Sequence, residues 1–316
     1  SGGAHPSLLP LGYIREEDIV TALPQQLALA RVRRGRQVGL LTDAYVQDSF
    51  AYVVLELMRA GTAIPSAEGE IRFTPTSELE RMEESKEPGV RRMSSEQSNT
   101  SLVIDDRMVL KLIRRLDAGI HPEAEMGRYL TGLGYANIPR MLGDVTREAA
   151  DGTPYTLAVL QEFIHNQGDG WQWALDTLAR SIQDAAQHEA PPATDLVAEL
   201  SDPSNELTDL ATMLGKRLGE MHAALASPTD NPDFAPETAG EADVAEWAEG
   251  ARRQLDQALD VLRARTEWDS PDAAEAVERL LRQRASLLEK VGVLAAACVG
   301  AARIRIHGDF HLGQVL

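Results

Sequence analysis

Cysteine is nearly absent from these 316 residues. Cys298 is the one thiol, so no internal disulfide is available, and the chain suits a reducing cytoplasm. It stands in an Ala/Val-rich stretch, where a small core residue is expected rather than a nucleophile. No run of eighteen apolar residues occurs, and the most apolar window, Val291 to Ala302, is short and interrupted by Gly292 and Gly300, so no membrane span is expected. The opening Ser1-Gly2-Gly3-Ala4 lacks the basic and apolar regions of a signal peptide. Positive charge is scarce as well. Thirty-one Lys and Arg against 49 Asp and Glu leave a net charge of −18, which argues against a nucleic-acid partner, because phosphate backbones select a basic face. Any phosphorylated ligand must be held locally, by a few cations, backbone amides and metal.

What is present suffices for two domains and a sizeable core, with 43% hydrophobic residues. Residues 1–80 read as a small α+β unit: strands over Gln25 to Arg33 and Gln37 to Leu41, a helix from Asp48 to Arg59 with Phe50, Val53, Val54, Leu57 and Met58 on one face, and a strand at Ile71 to Thr74. Ser77 to Gly89 is charged, ends in Pro-Gly and reads as a linker. Strands follow at Arg91 to Met93, Ser101 to Ile104 and Met108 to Ile113, with the polar loop Ser94 to Thr100 between the first two and an Asp105-Asp106 turn before the third. Two more strands, Ile138 to Val145 and Tyr155 to Phe163, lead into a helical remainder. Helices are expected over Trp171 to Asp184, Glu206 to Ala226, Trp247 to Arg265 and Asp272 to Leu294. His222 reads as structural, and the pair Trp171 and Trp173 as helix core or a sugar-stacking platform.

Lys111 interrupts the strongly apolar strand Met108 to Ile113. An ammonium there carries a desolvation cost unless it snorkels from the sheet edge or meets an anion. The next helix, opened by His121-Pro122, supplies two candidate carboxylates, Glu125 and, one register step away, Glu123. At the far end, Arg303 to Ile306 alternates with the period of a half-buried strand and breaks at His307-Gly308-Asp309. A carboxylate on a turn at a strand tip suits a general base, and Gln314 offers an amide oxygen five residues on. A strand lysine, a helix glutamate and an Asp followed by an amide ligand are the parts with which phosphoryl-transfer enzymes hold ATP and magnesium.

Four stretches carry a resemblance: E-Q-S-N-T-S (Glu96 to Ser101), V-L-K-L-I-R-R-L (Val109 to Leu116), H-P-E-A-E-M-G-R-Y-L (His121 to Leu130) and I-H-G-D-F-H-L-G-Q-V-L (Ile306 to Leu316). In this order the sequence resembles the aminoglycoside-phosphotransferase-like kinases and, among them, bacterial maltokinases, which make maltose 1-phosphate and are often fused or coupled to trehalose synthase. The resemblance implies an α+β, bilobal protein-kinase-like fold. A cap domain with its linker would occupy residues 1–90, a β-rich N-lobe and hinge 91–164, and a helical C-lobe 165–316. It further implies ATP and Mg²⁺ as cofactors and maltose or a related sugar as partner. Lys111 would lie on the ATP phosphates with Glu125 orienting it, and Ser98, Asn99 and Thr100 would lie in the phosphate-covering loop. Glu162, Phe163 and Ile164 would form the adenine platform, Asp309 the base and Gln314 a magnesium ligand, with His307 and His311 toward the sugar. The phosphate loop has no glycine. The sequence given stops before the family's Asp-Phe-Glu segment, so the 316-residue chain alone is expected to be inactive.

Rival readings are another small-molecule kinase of the same fold, acting on an aminoglycoside, choline or another sugar, and a non-catalytic nucleotide-binding module. A third is a metal-dependent hydrolase built on His307, Asp309 and His311.

Overall fold

A computed structural model describes residues 6–67, 69–83, 85, 88–93, 99–187 and 206–316. Two compact units divide it, residues 1–217 with 309–316, and residues 218–308.

The first unit is organised by a seven-stranded antiparallel sheet of order β4-β5-β9-β10-β8-β7-β6. Its strands are β4 (Ala63–Ser66), β5 (Gly69–Pro75), β6 (Val90–Arg92), β7 (Asn99–Ile104), β8 (Met108–Ile113), β9 (Met141–Ala149) and β10 (Pro154–Glu162). Alternation along β8 sorts the side chains to two faces. Met108, Leu110 and Leu112 join Leu102, Ile104 and Leu160 in the main core, which helix α2 (Asp48–Arg59) covers. This helix turns Ala51, Val54, Leu55 and Met58 inward, while Val53, placed on the apolar face by its spacing, is half exposed. Gly143 permits the close approach, since a Cβ there would collide with Met58 and come within 2.8 Å of the Thr74 carbonyl. The β7–β8 hairpin turns through Asp105 (φ 56°) and Asp106 (φ 53°), with Arg107 N–H donating to the Ile104 carbonyl, a type I′ geometry that matches strand twist.

Ahead of the sheet, β1 (Leu11–Arg15), β2 (Ala28–Arg34) and β3 (Gln37–Asp43) form a separate three-stranded sheet of order β1-β3-β2, with helix α1 (Leu23–Gln26) before β2. Within the residues 1–90 expected to form a cap, β4 and β5 lie in the same sheet as β9. Residues 69–75 pair along β9, where the backbone N–H and C=O groups at the edges of the two strands satisfy one another. The Ser77–Gly89 linker contains a short helix α3 (Ser77–Glu80), with Leu79 buried.

Helices α4 (Pro122–Gly132), α5 (Gly170–Gln187) and α6 (Glu206–Leu225) follow. In the second unit, α7 (Glu241–Ala264) packs against α9 (Arg284–Ala296), with α8 (Pro271–Arg282) before it. The single helix expected from Asp272 to Leu294 breaks at Gln283 (φ −90°, ψ 3°). Arg284 beyond the break is held by Asp256 and Asp260 of α7, and Arg252 Nε donates to the Leu288 carbonyl at 3.2 Å. Of the strand expected at 303–306 only Arg303 forms, in β12 (Ala302–Arg303), paired with β11 (Glu237–Thr238). Two residues of partner are too few to carry the alternation further. Among the described residues no helix is long and apolar enough to cross a membrane.

Candidate active site

Lys111 lies opposite Val159 and Ser101 in the sheet register, so its side chain leaves the face away from α2. On that face Val159 and Met141 cluster with Ala124 of α4. The Lys111 ammonium meets Glu123 Oε1 at 2.5 Å, both side chains about a quarter exposed. This corrects the pairing with Glu125. His121 caps α4, its Nδ1 accepting from Glu123 N–H at 3.3 Å, and its own N–H donates to Thr156 Oγ1 at 2.9 Å. With the first turn so fixed, Glu123 faces the sheet, and Glu125 lies about 200° further round the helix. Farther along α4, Arg128 pairs with Asp144, a buried carboxylate that also accepts from Thr146 Oγ1 at 2.9 Å. Two ion pairs thus fix the rotation of α4 on the sheet.

Of the expected phosphate-loop residues, Ser98 lies outside the described residues. Asn99 and Thr100 are not loop residues: β7 begins at Asn99, opposite Ile113. Thr100 Oγ1 accepts from Arg114 Nε at 2.9 Å. The polar run of residue types reads as loop locally, and pairing with β8 overrides it.

At the expected adenine platform, Glu162 N–H donates to the Arg140 carbonyl and Phe163 N–H to that of Arg107. The Glu162 carboxylate grips Arg140 with two bonds, at 2.6 and 2.8 Å, and Arg140 also reaches Glu78. The hydrogen bond from Arg140 holds the Glu162 carboxyl below the usual range despite partial burial. So the Glu162 side chain braces this strand end, and two of the three amides are engaged within the fold. Phe163 is flanked by the Arg91 guanidinium at 5.4 Å and the edge of His165 at 5.0 Å. The Ile164 carbonyl accepts from Asn166 Nδ2 at 3.0 Å.

The chain end is a run of turns. Gly308 takes φ 81°, and Leu312–Gln314 forms a 3-10 turn capped by His311, whose Nδ1 accepts from Gly313 N–H at 3.1 Å. Gln314 Nε2 lies 3.5 Å from His311 Nε2. Gly170 N–H, at the start of α5, donates to the Val315 carbonyl at 2.8 Å, and its lack of a side chain admits Leu312 and Val315. This seats the Asp309–Leu316 segment at the helix that follows the Glu162–Ile164 strand end. Asp309 and His311 are exposed and belong to the first unit with Lys111, whereas His307 falls in the second. A cavity of about 200 Å³ lined by Tyr52, Leu55, Arg59, Asp105, Arg107 and Met108 includes none of these residues and lies on the α2 side of the sheet.

Residues 89–316 match the family model of the phosphotransferase enzyme family, APH. The chain belongs to this family. Similar proteins include a glucosamine kinase of Mycolicibacterium smegmatis, 29% identical over 228 residues, and one of Streptacidiphilus jiangxiensis, 30% identical over 231; each alignment covers 72% of this chain. The chain spans about half the length of these relatives, 49% and 45%. A solved glucosamine kinase in complex with glucosamine, ADP and inorganic phosphate superposes with a TM-score of 0.57 over 90% of this chain and 56% of that one, at 23% identity. A second glucosamine kinase structure, crystal form B, gives 0.57 at 22% identity over 92% and 65%. The kinase-like mixed α+β fold expected from the motifs is the fold of this chain. Its likeness to maltokinases holds at the level of the family; the similar proteins named here are glucosamine kinases.

Sequence reasoning missed Arg114, Arg128, Arg140 and Asp144. Their signal was available in kind, since a charged residue in or beside an apolar strand must find a partner once buried. Which partner it finds depends on register, which the residue string does not carry.

Proposed function

We propose that the protein transfers the γ-phosphoryl group of ATP to a hydroxyl of a sugar. The observation that supports this most is the Lys111–Glu123 pair joining β8 to α4 in a chain of the phosphotransferase family. The pair holds the ammonium on one face of the sheet, where it fixes the α- and β-phosphates. Glu123 takes the orienting role first assigned to Glu125. Asp309 orients the sugar hydroxyl and accepts its proton as the new O–P bond forms and the bond from the γ-phosphorus to the bridging oxygen breaks, releasing ADP. Ser98, outside the described residues, keeps the phosphate role its sequence motif implies, as do Asn99 and Thr100 at the start of β7, and the Glu162–Ile164 strand end keeps the adenine role. His311, in the first unit, is assigned to the sugar, and for His307 the sugar role is the one its motif implies.

Among the described residues no three His, Cys, Asp or Glu gather to hold a metal ion. Mg²⁺ held beside nucleotide phosphates would ask less of the protein, one or two oxygen donors, and the Gln314 amide oxygen would be one. When bound, Mg²⁺ supplies charge neutralisation at the phosphates.

The motif order favours maltose, phosphorylated at its anomeric hydroxyl, as acceptor, and coupling to trehalose synthase belongs to that reading alone. The names of the similar kinases favour glucosamine, and a chain of net charge −18 suits a cationic sugar. ADP release by the full-length protein with ATP and Mg²⁺, run with maltose and with glucosamine, separates the two. Release dependent on neither these nor other sugars, aminoglycosides or choline would overturn the reading.

A further inference from the structure

Arg114 follows β8 and reaches three groups from different parts of the chain. Its Nε donates to Thr100 Oγ1 at 2.9 Å, its Nη2 pairs with Asp43 Oδ2 at 2.7 Å, and its Nη1 donates to the Leu8 carbonyl at 3.4 Å. The pair is well buried, the side chains being 23% and 12% exposed. Asp43 is also committed through the Tyr45 N–H, which donates to its Oδ1 at 3.0 Å. The Tyr45 ring carries two guanidinium groups, Arg114 at 5.9 Å and Arg92 at 5.7 Å, and Arg92 donates to the Tyr45 carbonyl at 3.1 Å and pairs with Asp48 at 2.7 Å. The end of β6 and the start of β7 are therefore both fastened to residues 43–48, which precede the main sheet in sequence.

The consequence falls beside Lys111. Thr100 stands opposite Leu112, and the next residue, Ser101, stands opposite Lys111 itself. Holding Thr100 holds the strand that carries the lysine's immediate sheet neighbour. Arginine suits the task, because a planar fork serves Asp43 and Thr100 together and a single ammonium cannot.

We infer that Asp43, Arg114 and Thr100 form a brace that sets the β7–β8 ends for the nucleotide phosphates, making Asp43 and Arg114 positioning residues for ATP. This rests on the kinase reading above. In the full-length protein, Asp43→Asn and Arg114→Gln raise the KM for ATP about tenfold, the size of one coupled charged contact, and leave kcat within about twofold and the sugar KM unchanged. Arg114→Lys recovers part of the loss. The double variant is no worse than either single one, since both remove the same link. Thr100→Val tests the chain from its other end should Arg114→Gln fail to fold, and it too raises the ATP KM. Met58→Ala, a core change that touches none of the brace's hydrogen bonds, lowers the melting temperature without moving that KM. Wild-type protein that binds no nucleotide by calorimetry overturns the kinase reading. Wild-type protein that binds ATP, with all the brace variants binding it equally well, overturns this inference alone.

Discussion

The two halves of the candidate site are built in opposite ways. Lys111 stands on a sheet whose strands bury Leu110, Val159 and Leu160 to 1% exposure or less, and the helix bearing Glu123 is fixed against that sheet by a second ion pair. Asp309 sits in exposed turns tied down by a few backbone hydrogen bonds and by Gly170. In the proposed mechanism the residue that holds a highly charged phosphate chain is embedded where packing and register fix it, and the residue that meets an incoming hydroxyl stands where solvent reaches it. Variants of the first half should then lose stability and nucleotide affinity together, and those of the second should lose turnover alone.

The widest separation is expected at Asp309. Asp309→Asn in the full-length protein should cut turnover by about 10²–10⁴-fold, the range of a general base, while ATP affinity holds and stability changes by about 0.5 kcal/mol or less. Steady-state kinetics with calorimetry and thermal melts read all three, and retained turnover removes Asp309 from the mechanism. On the sheet side, Met58→Ala should cost about 2–5 kcal/mol in urea unfolding, because Met58 is fully buried between α2 and the sheet. A much smaller loss would mean that the sheet half is as loosely built as the chain end.

Glu123 and Glu125 sharpen the comparison within one helix. Glu123→Gln leaves the Lys111 ammonium without its counter-charge and should cost about 1–3 kcal/mol of stability along with ATP affinity, whereas Glu125→Gln should do distinctly less. Equal effects would return the choice between the two carboxylates to where the residue string leaves it. The smallest effect is a matter of pH. Burial, followed by the hydrogen bond to Asp105, pushes the Tyr52 hydroxyl up to about 12. The folded state favours its protonated form, so the stabilisation is whole below the ordinary tyrosine range near 10 and fades as pH rises toward 12. Tyr52→Phe should flatten that alkaline slope in unfolding measured between pH 9 and 11. An unchanged slope assigns it elsewhere.

Local pattern was a good guide where a segment's own residues decide its state. The helix Asp48–Arg59 and the strand Met108–Ile113 have the bounds that periodicity and turn residues indicate. It failed where a partner decides. Asn99 and Thr100 look like loop and are strand because β8 pairs with them. Arg305 and Ile306 alternate like strand and are not, because β11 offers only Glu237 and Thr238. Asp272 to Leu294 reads as one helix and is two, because Arg284 is drawn to two aspartates of α7.

The sequence by itself determined which groups are available for the proposed phosphoryl transfer, in what order, and that a lone lysine in an apolar strand must either snorkel from the sheet edge or meet an anion. It did so because residue type and strand or helix period are properties of short segments. Only the tertiary structure decided that the anion is Glu123, that Arg114 ties Asp43 to Thr100, and that β5 joins the sheet of β9. Those choices depend on helix rotation and strand register, which are set by packing between segments far apart in the chain.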